Sequence, residues 1–449
     1  MNNKNQIDML NGSIFSKMLL FTIPLIASSI LQLLFNAADI VVVSNFAEES
    51  SLAAVGSTGS LINLLTNLFI GLSVGVNVLV ARYIGSKQLD ELKDTIQTSI
   101  SISVIIGILS GVVGIIICPS ILKIMHLEGE IWRLASLYLQ IYFIGMPAVM
   151  IYNFGSAVLR AVGDTRRPLI YMIIAGVINV LLNLIFVIVF HLGVAGVGIA
   201  TVVSQYVSAI LVVSCLVREK GIIHYNIKHF YINRKVLLGI IRIGLPAGLQ
   251  GTLFSLSNVF IQSSVNTFGD IVIAGNSAAI NLEGFVYVAM NAFYQATLSF
   301  IGQNVGAGKK KRVGLITVTG LLLVCSTGLL LGNIMVLFRE PLLAIYKNDP
   351  AVIAAGSVRI SWICSIYFLC GMMDVMVGAL RGLGYSTMPA IVSLMGACVF
   401  RLIWLATIFQ IDMFHSVGTI YASYPISWIL TFSIHLICYI VIKRKYDRE

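Results

Sequence analysis

Long apolar runs dominate the chain, and clusters of polar residues separate them. An apolar helix needs about 20 residues to cross the hydrocarbon of a bilayer, and twelve runs reach that length. None shows the alternating segments of about ten residues that form a membrane β-barrel. The pattern predicts an all-α integral membrane protein with twelve transmembrane helices. The predicted spans are 18–43, 52–80, 96–118, 131–154, 169–190, 194–217, 237–265, 272–301, 313–338, 354–379, 388–410 and 417–442.

Composition agrees with this pattern. Of the 449 residues, 58% are hydrophobic and only 11% are charged, whereas soluble domains carry about 25% charged residues. The first eight residues are polar, and no short apolar core with a cleavage site follows them. We therefore expect the first apolar run to be a membrane span and not a cleaved signal peptide.

The distribution of lysine and arginine predicts the orientation. An even number of spans places both termini on one side of the membrane. Of the 29 Lys and Arg residues, four lie in the opposite loops and two lie within spans, so 23 are on the side of the termini. Because cytoplasmic loops carry an excess of Lys and Arg, both termini are predicted to be cytoplasmic. Contact of these basic loops with anionic lipid is a secondary possibility.

The chain contains an internal repeat. LRAVGDTRRP (159–168) matches LRGLGYSTMP (380–389) at an offset of 221 residues, and FTIPLIASSILQLLFN (21–36) matches IGLPAGLQGTLFSLSN (243–258) at 222. Each copy holds six spans, so the two copies have the same orientation and a pseudo-two-fold axis along the membrane normal. Transporters built this way bind substrate near the bilayer midplane at the repeat interface.

The repeat also predicts the domain organisation. The stretch that joins the two copies, REKGIIHYNIKHFYINRKV, is polar and basic and is expected to be a cytoplasmic linker. The predicted domains are an N-lobe at 1–217 with spans one to six, the linker at 218–236, and a C-lobe at 237–449 with spans seven to twelve.

The repeated segments, together with ARYIGS and GQNVGAGKKKR, resemble sequences of the multidrug and toxic compound extrusion (MATE) family of bacterial efflux transporters. The resemblance covers nearly the whole chain. The resemblance is closer to the DinF-type than to the NorM-type branch. The NorM-type C-lobe carries acidic residues at two positions that are Phe254 and Cys370 in this chain. The resemblance implies two six-helix lobes around a central cavity in the bacterial inner membrane. It also implies export of organic cations or amphipathic drugs by alternating access in exchange for H⁺ or Na⁺.

The resemblance leaves one alternative transport function open, a flippase for a lipid-linked saccharide or another amphipathic lipid of the same superfamily. An enzyme is not expected, because the chain has no P-loop, HExxH, GxSxG or dinucleotide fingerprint. We expect a monomer in the lipid bilayer, with no cofactor beyond the coupling ion, no metal site and no nucleic-acid partner.

Asp39 is the first candidate site residue. A carboxylate within a membrane span indicates a functional site by default. When such a group is buried without a basic partner, its neutral form is favoured unless a cation binds. Asn179 and Asn183 are four residues apart and share one helix face, although they could instead form interhelical hydrogen bonds. In the family, a cluster of this kind surrounds the aspartate of the first helix. The predicted cation-coupling residues are Asp39, Tyr138, Asn179, Asn183 and Thr201.

The other two acids well inside spans are Glu283 and Asp374. Aromatic faces attract organic cations, and methionine adapts to ligands of varied shape. Aromatic and methionine residues follow Glu283 on the same face of its helix. This face is therefore predicted to bind substrate, although it could instead be a packing or lipid-facing stripe. Arg401 could instead neutralise one of the acids. The predicted substrate-binding residues are Glu283, Tyr287, Met290, Tyr294 and Asp374.

A third group of residues is assigned to architecture and gating. It combines positions of the first helix with positions of the two repeated LRxxG motifs. Asn36 has a counterpart at Asn258, whereas the position equivalent to Asp39 is Ile261, so the carboxylate is an asymmetric feature of a duplicated scaffold. The gating and architecture residues are Pro24, Asn36, Arg160, Gly163, Asp164 and Arg381.

Overall fold

The computed structural model describes residues 6–46 and 49–448, and all regular secondary structure within these ranges is helical. Among the described residues, ten helices are long and apolar enough to cross a membrane. Two further pairs of shorter helices are each long and apolar enough to cross as a pair, which gives up to twelve spans. The order and positions of the spans predicted from the apolar runs are therefore confirmed.

The helices are named in chain order. The first seven are α1 (Ile14–Phe46), α2 (Glu49–Ser86), α3 (Leu89–Ile124), α4 (Gly129–Ile144), α5 (Met146–Ala161), α6 (Arg166–Leu184, continued by a π-helical turn at Ile185–Val189) and α7 (Gly193–Arg218). The others are α8 (Arg234–Asn266), α9 (Asp270–Gly306), α10 (Lys310–Leu337), α11 (Arg339–Tyr346), α12 (Pro350–Cys364), α13 (Phe368–Gly382), α14 (Thr387–Ser393, continued by a π-helical turn at Leu394–Val399), α15 (Phe400–Ala406) and α16 (Val417–Arg448).

Two predicted spans are bent, which the apolar pattern did not indicate. The span predicted at 131–154 is α4 followed by α5, with a bend of 46°, and the span at 354–379 is α12 followed by α13, with a bend of 45°. Pro147 lies in the first turn of α5, where it cannot donate a helical hydrogen bond back to α4. The two breaks lie about one repeat apart, so the duplicated unit includes the bend.

The helices form two compact units. The first comprises residues 6–7 and 27–244 of the described chain, and the second comprises 8–26 and 245–448. The divisions fall within α1 and α8, close to Pro24 and Pro246, where proline removes a backbone hydrogen bond from the helix. The lobe limits of 1–217 and 237–449 follow the repeat and remain a prediction.

In the first unit, α3 packs against α4 and α5, and α7 packs against α5 and α6. Gly163 lies in the turn between α5 and α6 with a φ of +91°. Its carbonyl accepts a hydrogen bond of 3.1 Å from the Ile7 amide. A Cβ at this position would lie 2.4 Å from the Ile7 carbonyl oxygen. The turn therefore requires glycine for its backbone conformation and for the close approach of Ile7.

We expect Gly163→Ala to lower the apparent melting temperature of the purified protein. The left-handed conformation costs a non-glycine residue about 1–2 kcal/mol, and displacement of Ile7 adds about 1–3 kcal/mol. Gly269→Ala is the matched control, because Gly269 has the same φ of +91° with nothing within 4 Å of its would-be Cβ. Equal melting temperatures for the two variants would show that the Ile7 contact carries no energy.

In the second unit, α9 packs against α10, α12 and α13, and α13 packs against α16. The residues just before α1 dock on the turn between α9 and α10. Asn304 donates a hydrogen bond of 3.0 Å to the Met9 carbonyl, and Lys309 donates one of 2.8 Å to the Leu10 carbonyl. Arg312 donates to the Gly12 carbonyl and also to the Met9 carbonyl. The polar residues of the motif GQNVGAGKKKR thus fix the start of α1.

Candidate functional site

Asp39 lies at the start of a chain of hydrogen bonds in the first unit. The carboxylate on α1 accepts a hydrogen bond from the side-chain amide of Asn183 on α6. The same amide group donates 3.3 Å to Asn179 Oδ1, and Asn179 in turn lies 3.5 Å from Thr201 Oγ1 on α7. The structure therefore brings together four of the five predicted cation-coupling residues in one connected network.

The surroundings of this network are apolar. Tyr138, the fifth predicted residue, is buried on α4 and interacts electrostatically with Asp39. Within the described part of the chain, no Lys, Arg or His pairs with the Asp39 carboxylate. A charge in such surroundings is costly unless a cation binds beside it. The apolar residues that cluster with Tyr138 are Val42, Val43, Val187, Val194 and Val197.

The amide of Asn183 leaves an oxygen free beside the carboxylate. Its nitrogen donates hydrogen bonds to both Asp39 and Asn179. Its Oδ1 is buried without a hydrogen-bond partner among the described residues. A buried oxygen without a partner is uncommon in folded proteins. Oxygen atoms are the ligands that hard cations prefer, and the network holds a carboxylate and an amide oxygen of this kind.

In the second unit, Glu283 forms a buried ion pair with Arg359. The guanidinium donates two hydrogen bonds of 2.8 Å, from Nε and Nη2, to the two carboxylate oxygens. Its Nη1 donates 3.0 Å to Asn276 Oδ1, and the same oxygen accepts a 3.0 Å hydrogen bond from the Tyr421 hydroxyl. Both charges are 5% exposed. This bidentate geometry satisfies the Glu283 carboxylate within the helices α9, α12 and α16.

Sequence reasoning named Arg401 as a possible partner for these acids, and the structure corrects this. Arg401 stacks on the ring of Tyr424, with its guanidinium carbon 4.1 Å from the ring centroid, and donates to Ser427 Oγ at 2.8 Å. It forms no ion pair within the described residues. Sequence analysis did not identify the partner of Glu283, although Arg359 is one of the two basic residues that lie within predicted spans.

The predicted aromatic face of α9 divides into buried and accessible positions. Met290 is fully buried against α10 and α13. Tyr294 is 7% exposed, and its hydroxyl accepts a hydrogen bond of 2.7 Å from Arg381 Nη1. Arg381 also donates 2.9 Å to Gln250. Arg381 was assigned to architecture and gating, and the structure buries its side chain among α8, α9 and α13.

Tyr287 and Asp374 are the accessible members of the predicted substrate site. Tyr287 is 39% exposed, and Asp374 is half-buried on the neighbouring helix α13. The two side chains interact electrostatically with each other, and Asp374 also interacts with Arg381. No described residue forms an ion pair or a hydrogen bond with the Asp374 carboxylate. Of the predicted substrate-binding acids, Asp374 is thus the one with a carboxylate available to a ligand.

The predicted gating residues lie at helix ends and helix breaks. Asp164 is fully buried in the turn before α6, where its carboxylate accepts hydrogen bonds from the backbone amides of Arg166 and Arg167. The side chain of Arg167 adds ion pairs to Asp164 and Glu219. Asp164 therefore caps α6, which is an architectural role.

The remaining predicted residues of this group are placed as follows. Pro24 is buried in the interior of α1, Asn36 is exposed on α1 three residues before Asp39, and Arg160 lies in the last turn of α5. Their gating role remains a prediction.

Comparison with known proteins agrees with the internal repeat. The MatE family profile matches residues 24–185 and 246–406, one match in each copy. The chain is 27% identical over 394 residues to the probable multidrug resistance protein YpnP of Bacillus subtilis, covering 88% of each protein. It is 20% identical over 393 residues to the multidrug export protein MepA of Staphylococcus saprophyticus, covering 86% of each.

Solved structures share the fold. The outward-facing structure of a multidrug resistance MATE family transporter of the MOP superfamily superposes with a TM-score of 0.93 at 21% identity, over the full length of both chains. A MOP superfamily transporter from Pyrococcus furiosus, described as having a binding pocket of reverse polarity, gives a TM-score of 0.92 at 21% identity, over 100% of this chain and 99% of the other. Both halves of the chain match the family, and the fold is that of its two-lobed transporters. The chain therefore belongs to the MatE family of multidrug and toxic compound extrusion transporters.

Proposed function

We propose that the protein is a secondary active antiporter that exports organic cations or amphipathic drugs in exchange for H⁺ or Na⁺. The observation that carries the proposal is the network of Asp39, Asn183, Asn179 and Thr201, which holds a carboxylate without a basic partner in apolar surroundings. Such a group binds a cation or a proton where one is abundant and releases it where it is scarce. The multidrug resistance and export names of the relatives support drugs as substrates.

The two units divide the work in this proposal. The Asp39 network of the first unit couples transport to the ion. In the second unit, the Asp374 carboxylate and the Tyr287 ring bind the cationic part of the drug by charge attraction and by contact with the aromatic face. Glu283 is neutralised by Arg359 and supports the unit structurally. Both termini are cytoplasmic in this proposal, which the excess of Lys and Arg on their predicted side of the membrane supports.

Efflux of a cationic dye from proteoliposomes tests the proposal when pH and Na⁺ gradients are imposed separately. We expect uphill dye movement under at least one gradient, and the effective gradient identifies the coupling ion. If the dye moves under neither gradient, the antiporter function is contradicted. A lipid flippase, the alternative from the same superfamily, would show that result together with movement of a fluorescent lipid between leaflets.

We expect Asp374→Asn to raise the KM for a monovalent cationic dye about tenfold, equivalent to about 1.4 kcal/mol of binding energy. The substitution removes the accessible negative charge of the proposed substrate site and leaves the ion site unchanged. Transport of an uncharged substrate should keep its KM. Asp270→Asn is the control, because it removes an exposed acid at the start of α9 in the same unit. An unchanged KM for the dye would remove Asp374 from the substrate site.

A further inference from the structure

The linker between α7 and α8 is an ordered segment fixed to the start of α3. The Gln97 side chain donates hydrogen bonds to the carbonyls of Asn226, at 3.0 Å, and His229, and accepts one from the Asn226 amide. Thr98 Oγ1 accepts a hydrogen bond of 2.9 Å from the Asn233 amide. Asp94 accepts one of 2.8 Å from the Asn233 side chain. These bonds hold the backbone of residues 226–233 against α3.

The inward and outward faces of this segment differ in chemistry. Ile223 and Tyr225 are buried, 0% and 5% exposed, and anchor the segment to the protein. The outward face carries exposed apolar and aromatic side chains, which are Ile222, Ile227, Phe230 and Tyr231. The segment also carries exposed basic side chains, which are Arg218, Lys220, Lys228, Arg234 and Lys235.

The charge of the linker is one-sided. Its only acid, Glu219, is engaged with Arg167 at 2.8 Å. Within the described residues, none of the five exposed basic side chains forms an ion pair. The linker runs directly from the last residue of α7 to the first residue of α8, so it lies at the level where two spans leave the membrane. A rigid segment at this level with aromatic, aliphatic and basic side chains has the composition of a membrane-interface element.

We propose that the outward face of the linker, residues 218–235, is a binding surface for anionic phospholipids of the adjacent leaflet. The basic side chains contact the phosphate headgroups, and Ile227 and Phe230 enter the boundary between headgroups and acyl chains. Each lysine near an anionic surface favours association by a factor of about five. Because Gln97, Thr98 and Asp94 already order the segment, binding costs little conformational entropy. The surface ties the junction between the two repeats to the charge of the bilayer.

Hydrogen exchange of the full-length protein in nanodiscs tests this surface. Neither Ile227 nor Phe230 donates an amide hydrogen bond to another backbone group of the described chain, so exchange of their amides reports whether lipid covers them. We expect exchange in the linker to be slower by about tenfold in nanodiscs that contain phosphatidylglycerol than in nanodiscs of phosphatidylcholine alone. High salt should remove most of this difference.

Charge-matched variants locate the effect. The triple variant Lys220→Gln, Lys228→Gln, Lys235→Gln should lose the difference between the two lipids. The control triple Lys87→Gln, Lys93→Gln, Lys311→Gln removes the same charge from exposed positions outside the linker and should retain it. Equal exchange in both lipids overturns the proposal. The proposal is also overturned if the control triple variant loses the difference between the lipids as fully as the linker variant does. Slower exchange on addition of inorganic phosphate to phosphatidylcholine nanodiscs also overturns it, since the site would then bind a free anion.

Discussion

Replacement of Asp39 by asparagine is expected to abolish ion-driven dye efflux while the protein folds and inserts normally. Asparagine has the shape of aspartate and can still accept the hydrogen bond from the Asn183 amide. It cannot carry the negative charge that attracts a cation, and it cannot take up a proton. Efflux from proteoliposomes under the effective gradient should fall to the rate of protein-free vesicles, while equilibrium binding of the dye persists.

The control for this experiment is Asp90→Asn, which removes an exposed acid at the start of α3 in the same unit. It should transport at the unmodified rate. Retention of full drug resistance in cells that carry Asp39→Asn would contradict the coupling role. Loss of dye binding together with transport would place Asp39 in the substrate site instead.

The second large effect is expected at the buried ion pair of the second unit. Arg359→Met should reduce the free energy of unfolding by about 3–5 kcal/mol, because it leaves the Glu283 carboxylate buried without a counter-charge. Denaturation of the purified protein in detergent micelles, followed by loss of helical signal, measures the change. Arg359→Met combined with Glu283→Gln should recover much of the stability, since no uncompensated charge then remains.

Arg401→Met provides the matched control, since Arg401 is also a buried arginine of the second unit, 4% exposed. Its loss removes stacking on Tyr424 and one hydrogen bond to Ser427 but leaves no acid unpaired. We expect a cost of about 1–3 kcal/mol from these contacts. If Arg401→Met is as destabilising as Arg359→Met, the ion pair is not the source of the effect. Glu283→Gln should leave the KM for the dye unchanged.

The candidate site of the first unit was largely predictable from the chain. The spacing of Asn179 and Asn183 places them on one helix face, and a lone carboxylate in a span needs a functional explanation. The hydrogen bond from Asn183 to Asp39, across 144 residues, was not predictable from spacing, since it depends on how α1 packs beside α6.

The second unit was less predictable, because several ionisable residues compete for partners. Glu283 lies 76 residues before Arg359. From the sequence alone, Arg401 was an equally plausible partner for Glu283. Packing of α9 between α12 and α13 selected Arg359. The same packing buried Met290 and Tyr294, which helical spacing had placed on a ligand-binding face.

Patterns along the chain were enough to predict a twelve-span helical protein made of two parallel repeats, with most of its basic residues in loops on the side of the termini. These properties depend on local hydrophobicity, on charge and on similarity at one offset, all of which are carried along the chain. The folded structure was needed to show which buried charges are neutralised, where α1 and α8 divide between the compact units, and which acids remain available. Those outcomes depend on contacts between residues far apart in the chain, whose geometry is set by helix packing and not by any local pattern.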